Sequence, residues 1–532
     1  MIEQKAALER LHPSEKADHK TILEEQGLKR EECTLGTRVK ILKDIANWAN
    51  DHSSDSARVF WLTGQAGSGK TTIAYTIAKR FEEDGKANEH TVLGGNFFCS
   101  RQFQETQAQT RILPTIAYQL ARKCKWYADA LHVADKFDSV KFSVATQLRD
   151  LLVGPWQQSE GTHRPEPLSY LIIIDALDEI EGDGGSAFLG DLLNAIDKYD
   201  LRGLKFLVTS RPDPELVERC EAFASAVCRL QDVPIEQARS DIKIYLKEKL
   251  KKLDGSPELA ELERRADGLF IYAATAVKYL IPRRSITVRE QTKMLKNLLS
   301  KTYSASDATF LIDQLYCQIM RDAFSQFKGE FLICRLRILY TFLCTAERTS
   351  ISTVAALVAD GDDEAAKAVL DDLHAVLYSQ DDRVFWYHAS FPDFIFDPAR
   401  SNFRIGEKEF AFSCNEPAHH YLLCESCFHI MKAGLRFNMG NIKSSFLFDS
   451  DNAVALSEQV NQNISAVLRY SSRHWTHHLP SPQLIDTDGL RRCISEFLQI
   501  RVLFWIEAMN LLGLRNQCTP MLQCARQWVL KV

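Results

Sequence analysis

Nine residues, Gly64 to Thr72 (GQAGSGKTT), limit what this chain can fold into more than any other stretch. Gly64, Gln65, Ala66, Gly67, Ser68, Gly69, Lys70 and Thr71 meet the spacing G-x-x-x-x-G-K-[ST]. The apolar run RVFWLTG precedes them. TTIAYTIAKRF follows, with Ile73, Ala74, Ile77 and Phe81 on one helical stripe. A buried strand that turns through glycines into an amphipathic helix frames a phosphate. The glycines let backbone N–H groups wrap inward, and the positive end of the helix dipole lies beneath them. In this frame Lys70 reaches the β- and γ-phosphates of a nucleotide. Thr71 sets its hydroxyl on Mg2+, and Thr72 continues the cradle. The alternative, a glycine-rich turn with no ligand, is disfavoured by the complete match and its flanks.

A phosphate site with Mg2+ needs a carboxylate on a neighbouring strand, and LIIIDALDEI supplies one. Leu171 to Ile174 lead to Asp175 at the carboxyl edge, where open α/β sheets bind ligands. Asp175 is the expected Mg2+ ligand, directly or through water. Asp178 and Glu179 follow as candidates for orienting water; the alternative leaves these acids as solvated loop charges. Ala176 occupies the position where many active P-loop ATPases carry a glutamate, and the next carboxylate, Asp178, comes three residues after Asp175. That predicts slow hydrolysis. In LVTSRPD, Ser210 and Arg211 are expected to face the γ-phosphate, Arg211 as a charge sensor, unless it is a turn residue before Pro212.

The surrounding pattern is α/β. TVLGGNFFCS, YLIIID and LKFLVTSR read as further strands and LPTIAYQLARK as a helix. Strands separated by helices imply a parallel sheet. YLIIID does not alternate, so it is expected to be buried on both faces. With 532 residues the chain is long enough for three or four domains. Residues 1–32 read as a charged helix and linker, with Ala7, Leu8 and Leu11 as apolar points. The P-loop NTPase domain takes 33–232 and a helical domain 233–300, broken at Pro282, Arg283 and Arg284. A winged-helix-like domain takes 301–405, where helices precede RVFWYHASF, and an all-α region 406–532. No repeat with the period of propeller blades, about 40 residues, is visible.

Taken together, these stretches resemble the NACHT family of STAND nucleotide switches, most closely the fungal NACHT proteins that often carry a WD40 propeller. GQAGSGKTT, IIIDALDEI and FLVTSRPD carry the resemblance, with NFFCSR, ILPTIAYQLA, RADGLFIYAATAV, YHASFPDFIFDP and LRFNM, over roughly residues 33 to 532. It implies an ADP-bound resting state, exchange to ATP on a protein or ligand trigger, and self-assembly through the NTPase domain. It also implies that Gly36, Thr37 and Arg38 line the adenine side, with an ordinary surface charge as the alternative for Arg38. His388 is implied to contact the β-phosphate, with a satisfied histidine as the alternative. The family's Gly-x-Pro turn is replaced by DGLF, Asp267 to Phe270. No effector precedes residue 33 and no WD40 repeats follow residue 532, so the sequence reads as a fragment or a truncated member.

Other signals are discounted. HHYLLCESCFH lacks a second Cys-x-x-Cys for zinc, so Cys424 and Cys427 read as helix core residues. RHWTHHL, with His474, His477 and His478, has no nearby cysteine. Lys plus Arg is 65 against 70 for Asp plus Glu, a net charge of −5, which argues against a nucleic-acid partner. VLFWIEAMNLLGL is too short to span a membrane and contains Glu507. The 14 dispersed cysteines and a charged N-terminus suit a reducing, cytoplasmic setting. The leading reading is an ATP/ADP switch with weak ATPase activity. A turnover ATPase or kinase, on a small substrate or nucleic acid, is the rival, and a nucleotide-locked scaffold is the third.

Overall fold

The computed structural model describes residues 2–20, 30–53, 55–65, 67–83, 91–160, 169–212, 217, 227–233, 235–282, 286–299, 308–405, 408–442, 453–480 and 488–531. It forms two compact units, Met1–Leu315 and Tyr316–Val532.

The first unit is built on a five-stranded sheet. Its strands are β1 (Val59–Thr63), β2 (Thr91–Phe98), β3 (Ser169–Asp175), β4 (Leu204–Ser210) and β5 (Cys228–Asp232). Their order is β2-β3-β4-β1-β5 and every pairing is parallel. Helices α1 (Val39–Ala49) and α2 (Lys70–Glu83) cover one face. They press Ile41, Ile45, Trp48, Ile73, Ile77 and Phe81 onto Phe60, Leu62, Leu171, Ile173 and Leu207. Helices α3 (Ile112–Lys123) and α4 (Gly184–Lys198) cover the other. There Ile116, Leu120, Phe188 and Leu192 meet Trp61, Phe97, Ile172, Ile174, Phe206 and Val208. Strand β3 therefore sends alternate residues into two cores, as its unbroken apolar run requires. Each such side chain removes about 1.5–3 kcal/mol worth of surface from water. Thr63 pairs with Ser210 and Ile174 with Val208, so β1, β3 and β4 end at one edge.

Two parts of this unit go beyond the sequence reading. Strand β5 was not foreseen: only Cys228 is buried and Arg229 is exposed, which suits an edge and hides the strand. Near the N-terminus, Leu11 and Ala17 join the sheet's core. The Ser14 amide donates to Thr115 Oγ1 (2.9 Å) and the His19 amide to Asn96 Oδ1 (2.7 Å). After the sheet come helices α5 (Ile235–Lys249), α6 (Pro257–Ala266), α7 (Phe270–Leu280) and α8 (Val288–Leu299). Helix α7 stops before Pro282; Arg283 and Arg284 lie outside the described residues.

The second unit is mostly helical. Helices α9 (Gly329–Cys344), α10 (Ile351–Val358) and α11 (Asp363–Asp372) precede the hairpin β6 (Leu377–Gln380) and β7 (Arg383–Trp386). Asp381 and Asp382 both take left-handed backbone, with φ of 49° and 60°, which suits a two-residue hairpin turn. A second hairpin, β8 (Asn402–Ile405) and β9 (Lys408–Ala411), enters the region expected to be helical from 406. Its four-residue strands carry too short a pattern to declare themselves. Helices α12 (Glu416–Gly434), α13 (Ala466–His474), α14 (Val502–Leu511) and α15 (Arg515–Lys531) are among those that follow. Cys424 and Cys427 are fully buried on α12, as core residues. Among the described residues, no helix is long and apolar enough to cross a membrane.

Candidate functional site

The phosphate loop leaves β1 and enters α2 at Lys70. Gly67 and Gly69 hold φ of +75° and +89°, where a side chain is strained. At Gly67 an added Cβ would also meet Ile271 Cγ2 at 2.2 Å. Lys70 is buried, and its Nζ donates to the carbonyls of Gly64 (2.6 Å) and Gln65 (3.1 Å). Burial lowers its pKa, while Asp178, Asp175 and Glu179 pull it back up, so the ammonium belongs to a cluster that also includes Arg211. Thr71 and Thr72 lie on the first turn of α2. Ala66 lies outside the described residues.

Asp175 sits buried at the end of β3. Its Oδ1 accepts the Thr209 hydroxyl (2.6 Å), and Thr209 Oγ1 in turn accepts the Ala176 amide (2.9 Å). Burial raises the Asp175 pKa, while the Thr209 and Thr71 hydroxyls, Arg30 and Lys70 lower it. Asp175 Oδ2 is buried with no hydrogen-bond partner. A buried, unpaired carboxylate oxygen beside a threonine hydroxyl fits a hard divalent cation such as Mg2+. Thr71 and Asp175 are the residues that could hold it. Ala176 bends the chain with φ of 54°, a left-handed turn that costs an alanine about 1 kcal/mol.

That turn aims two more acids. Asp178 accepts the Arg211 amide on Oδ1 (3.0 Å) and pairs with Arg211 Nε through Oδ2 (3.0 Å). Glu179 Oε2 accepts the Arg101 amide (3.1 Å). Desolvation, with Asp178 close by, raises the Glu179 carboxyl to about 7, where a group exchanges protons readily near neutral pH. Lys70, Asp175, Asp178, Glu179 and Arg211 are thus brought together. Ser210 is not: its hydroxyl accepts the Trp61 indole N–H (2.8 Å) and donates to the Arg211 carbonyl (2.8 Å). Side chains alternate along a strand, so Thr209 faces Asp175 and Ser210 turns away.

A family model described as Nephrocystin 3, N-terminal, matches residues 36–211, from Gly36 to Arg211. Vegetative incompatibility protein HET-E-1 of Podospora anserina is 22% identical over 523 residues, covering 89% of this chain. These matches support a P-loop NTPase of the NACHT/STAND type. The chain spans 35% of the length of HET-E-1. Among solved structures, similarity is found to a Signal Transduction ATPase with Numerous Domains with a tetratricopeptide repeat sensor, from Pyrococcus horikoshii. There identity is 14%, coverage is 95% of this chain and 64% of that one, and the TM-score is 0.37. The Aeropyrum pernix ORC2 protein is also 14% identical, over 69% of this chain and 93% of its own, with a TM-score of 0.33.

The loop is also gripped from outside the sheet. Arg38 is buried, and its guanidinium donates through Nη2 to the Ser68 carbonyl (2.6 Å). The same guanidinium lies 4.5 Å from the centroid of the Phe270 ring. The Arg38 amide donates to Asp241 Oδ2 on α5 (3.0 Å). The Ile271 amide, at the start of α7, donates to the Gly67 carbonyl (3.1 Å). Arg38 is therefore no surface charge; it ties the loop to α5 and α7. Thr37 Oγ1 donates to the Thr34 carbonyl (2.7 Å), and Gly36 has φ of +85°.

His388 belongs to the second unit, between β7 and the short helix Ser390–Phe396. Its Nδ1 accepts the Ser390 amide (3.0 Å), and the Ser390 hydroxyl meets that of Tyr316 (2.8 Å). Sequence reasoning missed Thr209, Arg101 and the Asp241–Phe270–Ile271 contacts. Thr209 was open to detection, because it precedes Ser210 on a strand whose residues alternate. Asp241 and Ile271 carry no local signal, since each acts through a partner far along the chain.

Proposed function

We propose that this chain is an ATP/ADP-binding signalling switch with slow Mg2+-dependent hydrolysis, and that it self-associates through the NTPase domain in the ATP state. The observation that carries the proposal is the grip of Arg38 and Ile271 on the carbonyls of Ser68 and Gly67. A loop bonded to helices some 200 residues downstream cannot change shape alone, so nucleotide occupancy biases the helices that follow.

In this reading Lys70 leaves the Gly64 and Gln65 carbonyls for the phosphates. Loop amides and the α2 N-terminus hold the β-phosphate. Thr71 and Asp175 hold Mg2+, which neutralises phosphate charge when bound. Arg211 is shared between Asp178 and the γ-phosphate, so loss of that phosphate returns it to Asp178. Glu179 is the residue that takes a proton from the attacking water as the β–γ bridge breaks; its amide contact to Arg101 keeps it positioned. Ala176 leaves the position next to Asp175 without a carboxylate, so the base acts from Glu179 further along the chain, which keeps turnover slow. Gly36, Thr37 and Arg38 are assigned to the adenine side, and His388 to the β-phosphate in the ADP state.

The helices and hairpin between Gly329 and Trp386 support assigning 301–405 as winged-helix-like, after an NTPase domain at 33–232 and a helical domain at 233–300. The trigger is a protein or ligand outside this chain, and the setting is cytoplasmic. One feature favours turnover instead: desolvation raises the Glu179 carboxyl to about 7, a value suited to a general base. Light scattering of the chain with ADP, and then with a non-hydrolysable ATP analogue, tests the switch. Assembly with the analogue alone, lost in Lys70→Ala, is expected. A monomer in both states with fast, Lys70-dependent hydrolysis would favour the turnover enzyme.

A further inference from the structure

Two histidine-rich stretches that look unpromising separately meet in the second unit. His420 lies on α12, and His477 and His478 follow the end of α13. One ring nitrogen of each lies within 4.8 Å of the others. His420 Nδ1 and His478 Nδ1 are 2.8 Å apart.

The outer nitrogens of two of these rings face acceptors. His420 Nε2 is 3.8 Å from Glu416 Oε1, one helical turn away. His478 Nε2 is 2.8 Å from the Tyr470 hydroxyl, which also accepts the Ala346 amide (3.1 Å). A neutral imidazole carries one N–H and one lone pair. In the tautomer pair that directs both N–H groups outward, to Glu416 and Tyr470, two lone pairs face each other at 2.8 Å and can share a cation. The other pair, with Tyr470 donating to His478 and His478 to His420, places a proton between the rings. A single proton would satisfy two rings; the third, His477, has no part in such a bond. Metal-ligating histidines usually present their second N–H to a carboxylate or another oxygen, as here.

We propose that His420, His477 and His478 form a three-histidine site for a divalent transition metal of the Zn2+ class, joining α12 to the end of α13. Imidazole suits zinc, and zinc takes its nitrogen ligands at about 2.0–2.1 Å, which requires the facing nitrogens to part slightly. His478 is fully buried whereas His477 is exposed, so the fourth position opens to solvent. The metal would act as a clasp between two helices, independent of the nucleotide loop.

The untagged 532-residue chain, freed of metal by a chelator, is titrated with Zn2+. It is then titrated with Co2+ to read the visible bands of a tetrahedral site. One equivalent per chain is expected, with a rise in Tm. His477→Ala, at an exposed position, is expected to fold as the parent does, by circular dichroism, and to lose both signals. Glu416→Gln is expected to bind about tenfold more weakly. Three results would overturn the proposal. One is no binding, with a shared proton alone seen by nitrogen NMR. Another is binding equal in parent, His477→Ala and His420→Asn. The third is binding abolished only by changing Cys424 or Cys427.

Discussion

The phosphate loop and the histidine cluster both gather polar atoms around a place for charge, by opposite means. The loop relies on main-chain groups of adjacent residues beside the Lys70 and Thr71 side chains, and at Gly67 it needs the absence of a side chain. The cluster uses side chains only, and His420 and His478 are 58 residues apart. A main-chain site depends on backbone conformation and tolerates changes of side chain; a side-chain site does the reverse. The acid-bearing turn at Ala176 combines the two: strained backbone aims Asp178 and Glu179 at Arg211 and Arg101.

The contrast can be broken most forcefully at Gly67. Gly67→Ala adds a left-handed penalty of about 1–2 kcal/mol and an overpacking cost of about 1–3 kcal/mol against Ile271. Chemical denaturation should register a loss of that order, together with loss of nucleotide. Lys70→Ala is next. Removing a charged donor should weaken nucleotide binding by about 1.5–3 kcal/mol, roughly ten- to a hundredfold by calorimetry, with little change in fold.

Arg38→Ala follows. It strips the guanidinium from the Ser68 carbonyl and the Phe270 ring but leaves the main-chain bond to Asp241, so a loss of about 2 kcal/mol in unfolding is expected. Hydrogen exchange at the start of α7 should rise with it.

Glu179→Gln is a pH-dependent change. The Glu179 pKa lies at about 7 against an ordinary 4.5, so the folded state binds more protons between those values. Stability should therefore fall as pH rises through that window, and Glu179→Gln should remove that part of the slope of Tm against pH. Gln65→Ala is the smallest: an exposed loop side chain should be worth less than about 0.5 kcal/mol. If Gln65→Ala matched Gly67→Ala, the distinction between main-chain and side-chain sites would collapse.

The parts legible in the sequence share one property: their signals are local. The loop, Asp175 and strands β1 to β4 are each declared by consecutive residues. Strand β5 escaped because its half-exposed CRLQD lacks an apolar run. The packing of Leu11 and Ala17 escaped because isolated apolar residues in a charged segment do not reveal a partner. The contacts of Arg38 with Asp241 and the meeting of the histidines escaped for a different reason. Asp241 lies 203 positions from Arg38, and no spacing rule links His420 to His478. Thr209 and Ser210 are both hydroxyls, and only the strand's phase separates the one that faces Asp175.

The claim that the loop holds a phosphate in order to sense it is tested most directly by the nucleotide the purified chain retains. Denaturation and chromatography identify it, and single-turnover hydrolysis with Mg2+ follows on the same preparation. Tightly held ADP with slow turnover is the expected result. An empty chain that hydrolyses ATP rapidly, and stops when Lys70 is replaced, would contradict it.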